Sequence, residues 1–168
     1  MTSNSASKLR ATVAVLPSLK APDHRLPPIR PRVSLIADAP APYGHPLTCA
    51  EDVWALLKDH AASWDRERFI TLALDSKHRV LGVDEVSVGT LTESLVHPRE
   101  VFKALILANA KAFICAHNHP AGDPEPSAED LAVTQKLRDA GKLLGIALLD
   151  HVILGREKHY SFQASGRL

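Results

Sequence analysis

The chain has 168 residues, 45% of them hydrophobic and 23% charged, with a formal net charge of +1. That length suits one domain of ordinary size plus a tail, and the near-neutral charge argues against a chain built mainly as a nucleic-acid polycation. Two cysteines, Cys49 and Cys115, exclude a disulfide framework and a four-cysteine zinc site, and no stretch approaches the length of a membrane span.

Eight of the twelve prolines fall in residues 1–46, beside six Lys/Arg and two acidic residues. Such a segment cannot propagate helix or central strand, so a disordered or extended arm is expected there. Its positive charge could touch nucleic acid or an acidic partner, but a solvated tail is the ordinary reading. The apolar run at 11–16 is too short, and too quickly broken by Pro17, for a signal peptide; the chain reads as cytoplasmic.

From Leu47 onward the elements alternate. Thr48-Cys49-Ala50-Glu51 has the form of a capping box opening a helix with Val53, Leu56 and Leu57 on its apolar face. Residues 68–75 read as a strand, residues 76–78 as a turn, and residues 80–88 as a returning strand, so a hairpin is expected. Pro98 sits where a second helix begins, with Val101, Leu105 and Ala108 as its stripe. Residues 112–116 form an unbroken apolar run, the mark of a buried strand. A helix follows from Ser127 to Gly145 with Val133, Leu137, Ala140 and Leu144 as its apolar face. Residues 146–149 and 152–154 supply further strand material. Strands interleaved with helices imply an α/β fold, a mixed sheet with flanking helices.

The densest chemistry lies at the end of the buried run. His117, His119, Ser127 and Asp130 follow the pattern H-x-H-x7-S-x2-D within fourteen residues. Side chains on a strand repeat every second residue, so both imidazoles emerge on one face. Pro120, Gly122, Pro124 and Pro126 force a loop, and Asp130 falls in the first turn of the next helix. Two imidazoles and one carboxylate are the protein ligands of an open, catalytic zinc site. Spacing alone leaves the bland readings standing: two satisfied histidines, and a Ser127–Asp130 helix cap.

The pattern, and the wording around it from Glu67-Arg68-Phe69 through His117-Asn118-His119-Pro120 to Asp150-His151-Val152-Ile153 and Tyr160-Ser161-Phe162, resembles the JAMM zinc metalloproteases and, among them, the RadC-like branch. The resemblance covers most of the chain from Leu47. It implies a cytidine-deaminase-like arrangement (a JAB/MPN domain over 47–168) and hydrolysis of a peptide or isopeptide bond in an unidentified protein or peptide. It also implies one Zn2+ on His117, His119 and Asp130. The glutamate such enzymes use as general base matches Glu67, with Glu100 as runner-up, and Ser127 would help hold the oxyanion. Asn118 should face away from the metal and brace the loop. Asp150 and His151 form either a second rank behind a ligand or a buried pair at a strand. His60, His78, His97 and His159, with Glu85 and Glu93, read as surface residues, and Cys115 as core.

Two other classes remain. A non-proteolytic accessory protein of DNA repair or mobile-element biology, the historical label of RadC-like proteins, predicts DNA affinity with a steep salt slope. The helix-hairpin-helix-like region that full-length RadC proteins carry has no counterpart here, which weakens that inference. Deamination on the same fold calls for H-x-E followed by P-C-x-x-C, and the chain has no C-x-x-C. An HNH nuclease is a weak reading of His-Asn-His, since no basic cluster surrounds it.

Overall fold

Strand β1 (Arg68–Leu74) is apolar on both sides, and a strand of that kind is stable only in the middle of a sheet covered on both faces. A computed structural model, which describes residues 46–89 and 96–168, shows that arrangement. Ile70, Leu72 and Leu74 point into one core with Val53 and Leu57 of helix α1 (Ala50–Ala61). Phe69 and Ala73 point into the other, with Val101, Phe102 and Leu105 of α2 (Pro98–Leu107) and Leu137 of α3 (Ala128–Leu144).

The sheet has five strands in the order β2-β1-β3-β4-β5. β2 (Val80–Val88) forms the expected hairpin with β1. β1 pairs antiparallel with β3 (Ala112–Asn118), and β3 pairs parallel with β4 (Ala147–Leu154) across the α3 crossover. β5 (His159–Ser161) closes the edge antiparallel to β4. The mixed α/β sheet read from the sequence is therefore the one observed, and Cys115 is core. Among the described residues no helix is long and apolar enough to cross a membrane. Of the arm expected over residues 1–46, only Pro46 is described, and it makes an antiparallel bridge to Arg79; residues 1–45 and the loop position of Glu93 lie outside the described residues.

Three local expectations need correction. The α1 cap uses Asp52 rather than Glu51: its Oδ2 accepts from the Thr48 backbone N–H and hydroxyl, both at 2.8 Å. The two stretches of strand expected over 146–149 and 152–154 are one strand, Ala147–Leu154, because Asp150 and His151 are buried with partners and do not interrupt it; Ile146 precedes it. The buried side of α3 is Asp130, Thr134, Leu137 and Gly141, while Leu144 is exposed. Gly141 is the reason the helix can sit this way: a Cβ there would stand 2.5 Å from the Ile146 carbonyl oxygen. The close approach turns the polar first turn of α3 inward.

Candidate metal centre

β3 carries the apolar run to its end and then delivers His117, fully buried, on the α3 side of the sheet, stacked on Phe69 with ring centroids 6.0 Å apart. His119 follows on the loop after β3. That loop lies against the β4–β5 turn at Gly155, where a Cβ would meet the Gly122 carbonyl oxygen at 2.7 Å and Pro124 Cδ at 2.9 Å. Asp130, 1% exposed, arrives from the first turn of α3.

The three side chains converge. His117 Nε2 stands 3.1 Å from His119 Nε2 and 3.1 Å from Asp130 Oδ1, and His119 Nε2 is 3.6 Å from Asp130 Oδ2. Glu67, just ahead of β1, brings Oε1 to 3.8 Å from His117 Nε2. Ligand atoms of Glu67, His117 and His119 all fall within 4.8 Å of one another, a spacing that could hold a metal ion.

Each imidazole is oriented from behind. His119 Nδ1 lies 2.7 Å from the Asp123 carbonyl oxygen, which can only accept, so the ring proton sits on Nδ1 and Nε2 keeps its lone pair. His117 Nδ1 lies 2.8 Å from Nε2 of His151, itself fully buried in β4. His151 Nδ1 is 2.6 Å from the Thr134 hydroxyl, whose proton goes to the Asp130 carbonyl oxygen, also at 2.6 Å. Run from His117, every donor in this chain meets one acceptor: Nδ1–H to His151, Nδ1–H of His151 to Thr134, Thr134 O–H to Asp130. Both Nε2 lone pairs then face one point, beside a carboxylate, an arrangement relieved by a proton or a cation.

Electrostatics follow the same geometry. Burial pushes His117 below the usual imidazole range and His151 well below it. The neighbouring Asp130 carboxylate holds His119 above that range. Burial works to raise Asp130, but the two imidazoles beside it favour the ionised form more strongly and keep the carboxyl far below the ordinary carboxylate value.

Ser127 is the N-cap of α3. Its Oγ accepts from the Asp130 N–H at 3.1 Å and donates to Asp130 Oδ2 at 2.7 Å, while its own N–H reaches the same oxygen at 2.8 Å. The hydroxyl has one proton, and here Asp130 holds it; an oxyanion could receive it only if Oδ2 gave it up. Glu100 stays outside the cluster, paired with Lys103 at 2.8 Å on the surface of α2. Asn118 does turn away from the cluster, but it grips the segment before β1 rather than the loop after β3. Of the two readings the sequence left open, His151 takes the place behind His117, and Asp150 bonds Ser161 and Gln163 instead.

Residues 47–167 match the family model described as RadC-like JAB domain. The chain is 57% identical over 104 residues to a UPF0758 protein of Moorella thermoacetica, covering 62% of this chain and 45% of that one. It is 48% identical over 116 residues to a UPF0758 protein of Methanosarcina acetivorans, covering 69% of this chain and 51% of that one. The chain thus spans about half the length of the curated relatives it matches.

Proposed function

The chain belongs to the RadC-like JAB domain family, and from that premise we propose that it is a zinc-dependent metallopeptidase acting on a peptide or isopeptide bond. The JAB-domain family includes hydrolases. The observation that carries the reading is the convergence of two imidazole nitrogens, a buried carboxylate and a second, more distant carboxylate on one point.

The residues fit the ion. Ligands about 2.0–2.1 Å from zinc at tetrahedral angles stand about 3.3 Å apart; His117 Nε2 is 3.1 Å from both His119 Nε2 and Asp130 Oδ1, while the 3.6 Å from His119 Nε2 is to the other carboxylate oxygen, Oδ2. His117 and His119 would offer Nε2, and Asp130 a carboxylate oxygen. Zinc held there supplies a Lewis acid and a water acidic enough to attack near neutral pH. Glu67, whose Oε1 lies 3.8 Å from His117 Nε2, would take the proton of the attacking water and return it to the leaving amine. Ser127 fixes Asp130 through Oδ2, so its first task is to orient a ligand; donating to an oxyanion is a second task that needs that bond to open. The two unpaired cysteines suit a reducing compartment such as the cytoplasm.

The test is metal analysis paired with cleavage of a proteome-derived peptide library read by mass spectrometry. Wild type should hold about one zinc per chain and produce new peptide termini. His119→Ala and Asp130→Ala should lose both properties. Glu67→Gln should keep zinc and lose cleavage. Cleavage undiminished in Glu67→Gln would remove Glu67 as the base, and wild type without zinc affinity would remove the whole reading.

A further inference from the structure

Asn118 lies between the two histidines, 4% exposed, and a buried amide needs partners somewhere. Where it finds them is informative. Its Oδ1 accepts from the Arg68 backbone N–H at 2.9 Å, and its Nδ2 donates to the Arg66 carbonyl oxygen at 3.1 Å. Those groups belong to the two peptide units on either side of one residue, Glu67. The carbonyl is in the peptide before it and the N–H in the peptide after it, so a single side chain restrains both backbone torsions of Glu67. On the β2 side the Gly89 N–H donates to the Glu67 carbonyl oxygen at 2.9 Å. The peptide after Glu67 is thereby held from both neighbouring strands.

The β1–β3 ladder ends at the pair Phe69–His117. Past that point no backbone pairing with β3 ties the chain down, and Asn118 continues the connection with its side chain. We infer that Asn118 is a positioning residue for Glu67, fixing the distance between the Glu67 carboxylate and the His117 ring from the strand end that also carries His117. This rests on the reading of Glu67 as the base. The chemistry asks for an amide: Asp has no donor for the Arg66 carbonyl, and Ala has neither group.

The experiment uses Asn118→Ala and Asn118→Asp, with Glu67→Gln as reference, each loaded with Co2+ in place of zinc. Three quantities are read: Co2+ affinity, amide exchange at Arg68 by NMR, and the paramagnetic shift that Co2+ imposes on the Glu67 side-chain protons, which reports where they stand relative to the ion. In Asn118→Ala the affinity should be unchanged, Arg68 exchange should quicken about tenfold as its acceptor is lost, and the Glu67 side-chain shift should collapse toward its metal-free value. Asn118→Asp, which keeps the acceptor, should retain Arg68 protection and lose part of the shift. If Asn118→Ala fails to fold, the shift in Asn118→Asp decides. A wild-type Glu67 shift in an Asn118 variant overturns the proposal, since a purely structural clamp would leave that side chain in place. Undiminished peptide cleavage in Glu67→Gln overturns the base reading itself and the proposal with it, and is told apart because it appears in the reference protein.

Discussion

Replacing His151 with Leu separates its service to the metal centre from its packing. The ring fills a fully buried place between Phe162, stacked at 4.9 Å, and Phe69, edge-on at 5.4 Å. It accepts from His117 Nδ1 at 2.8 Å and donates to Thr134 at 2.6 Å. Leu leaves His117 Nδ1–H buried without a partner, which costs about 1–3 kcal/mol, and forfeits ring contacts of about 0.5–1.5 kcal/mol. The metal-free protein should therefore lose roughly 2–4 kcal/mol in urea unfolding. Zinc affinity should fall separately, by about 10–100-fold, because His117 no longer has its tautomer and ring angle set from behind. Competition against a chromophoric chelator measures that loss. His151→Gln supplies the control: its amide can accept from His117 and donate to Thr134, so it should recover most of the zinc affinity while still lacking the aromatic stack. Wild-type zinc affinity in His151→Leu, with stability reduced, would show that His151 only packs.

Metal-free protein should lose stability on acidification from about pH 7 to about pH 5.5. His117 and His151, both depressed by burial, contribute stability that is present above the unfolded imidazole value and lost as pH falls below it; His119, raised by Asp130, works in the opposite sense and is lost as pH rises through its folded value. Below the unfolded imidazole value His119 is protonated in both states and drops out, so the two depressed histidines give a slope approaching about 2.7 kcal/mol per pH unit, and urea unfolding of His151→Leu should show about half of it; a wild-type slope in that variant would refute the assignment. Ser127→Ala should cost about 1 kcal/mol through loss of the α3 cap, and should also weaken zinc binding, since Asp130 Oδ2 keeps only the Ser127 N–H; an unchanged chelator competition curve would count against the orienting role. Removing zinc should leave the far-ultraviolet circular dichroism intact and lower the unfolding free energy by an amount that grows about 1.4 kcal/mol per tenfold excess of zinc over its dissociation constant. Unfolding on chelation would refute a preformed site.

The cluster of His117, His119 and Asp130 was legible because local geometry brings it together. A strand period of two carries from His117 to His119 just past the end of β3, and an N-cap at Ser127 puts Asp130 in the first turn. Two of its supports, His151 and Asn118, were legible only in part because their partners come from elsewhere in the chain. His151 is 34 residues beyond His117, and Asn118 meets Arg68 across 50 residues. Which residue of β4 stands behind His117 depends on a register shift in the β3–β4 pairing between Phe113 and Ile114, and no pattern within either strand announces it. The α3 stripe held at Leu137, with Val133 and Ala140 half-buried against the same core, and failed at Leu144, which is exposed. Apolar periodicity looks for large hydrophobes, whereas α3 also buries Asp130, Thr134 and Gly141. Local rules fail where the helix is recruited to function.

The supports have a common physical consequence. His117 is held by β4, His119 by the Asp123 carbonyl, Asp130 by the α3 cap, and the Glu67 backbone by β2 and β3 together. None of these bonds involves a cation, and the two apolar cores on either face of the sheet stand without one. In a small zinc-nucleated module the ion's binding energy is the folding energy. Here the donor geometry is fixed by packing and hydrogen bonds first, at the cost of two imidazole lone pairs facing each other at 3.1 Å. A proton or a cation relieves that repulsion, so the contacts that bring the two rings together favour a divalent ion in competition with a proton. Loosening the support of His117, His119 or Asp130 should therefore weaken metal binding more than that support's own contribution to folding would suggest.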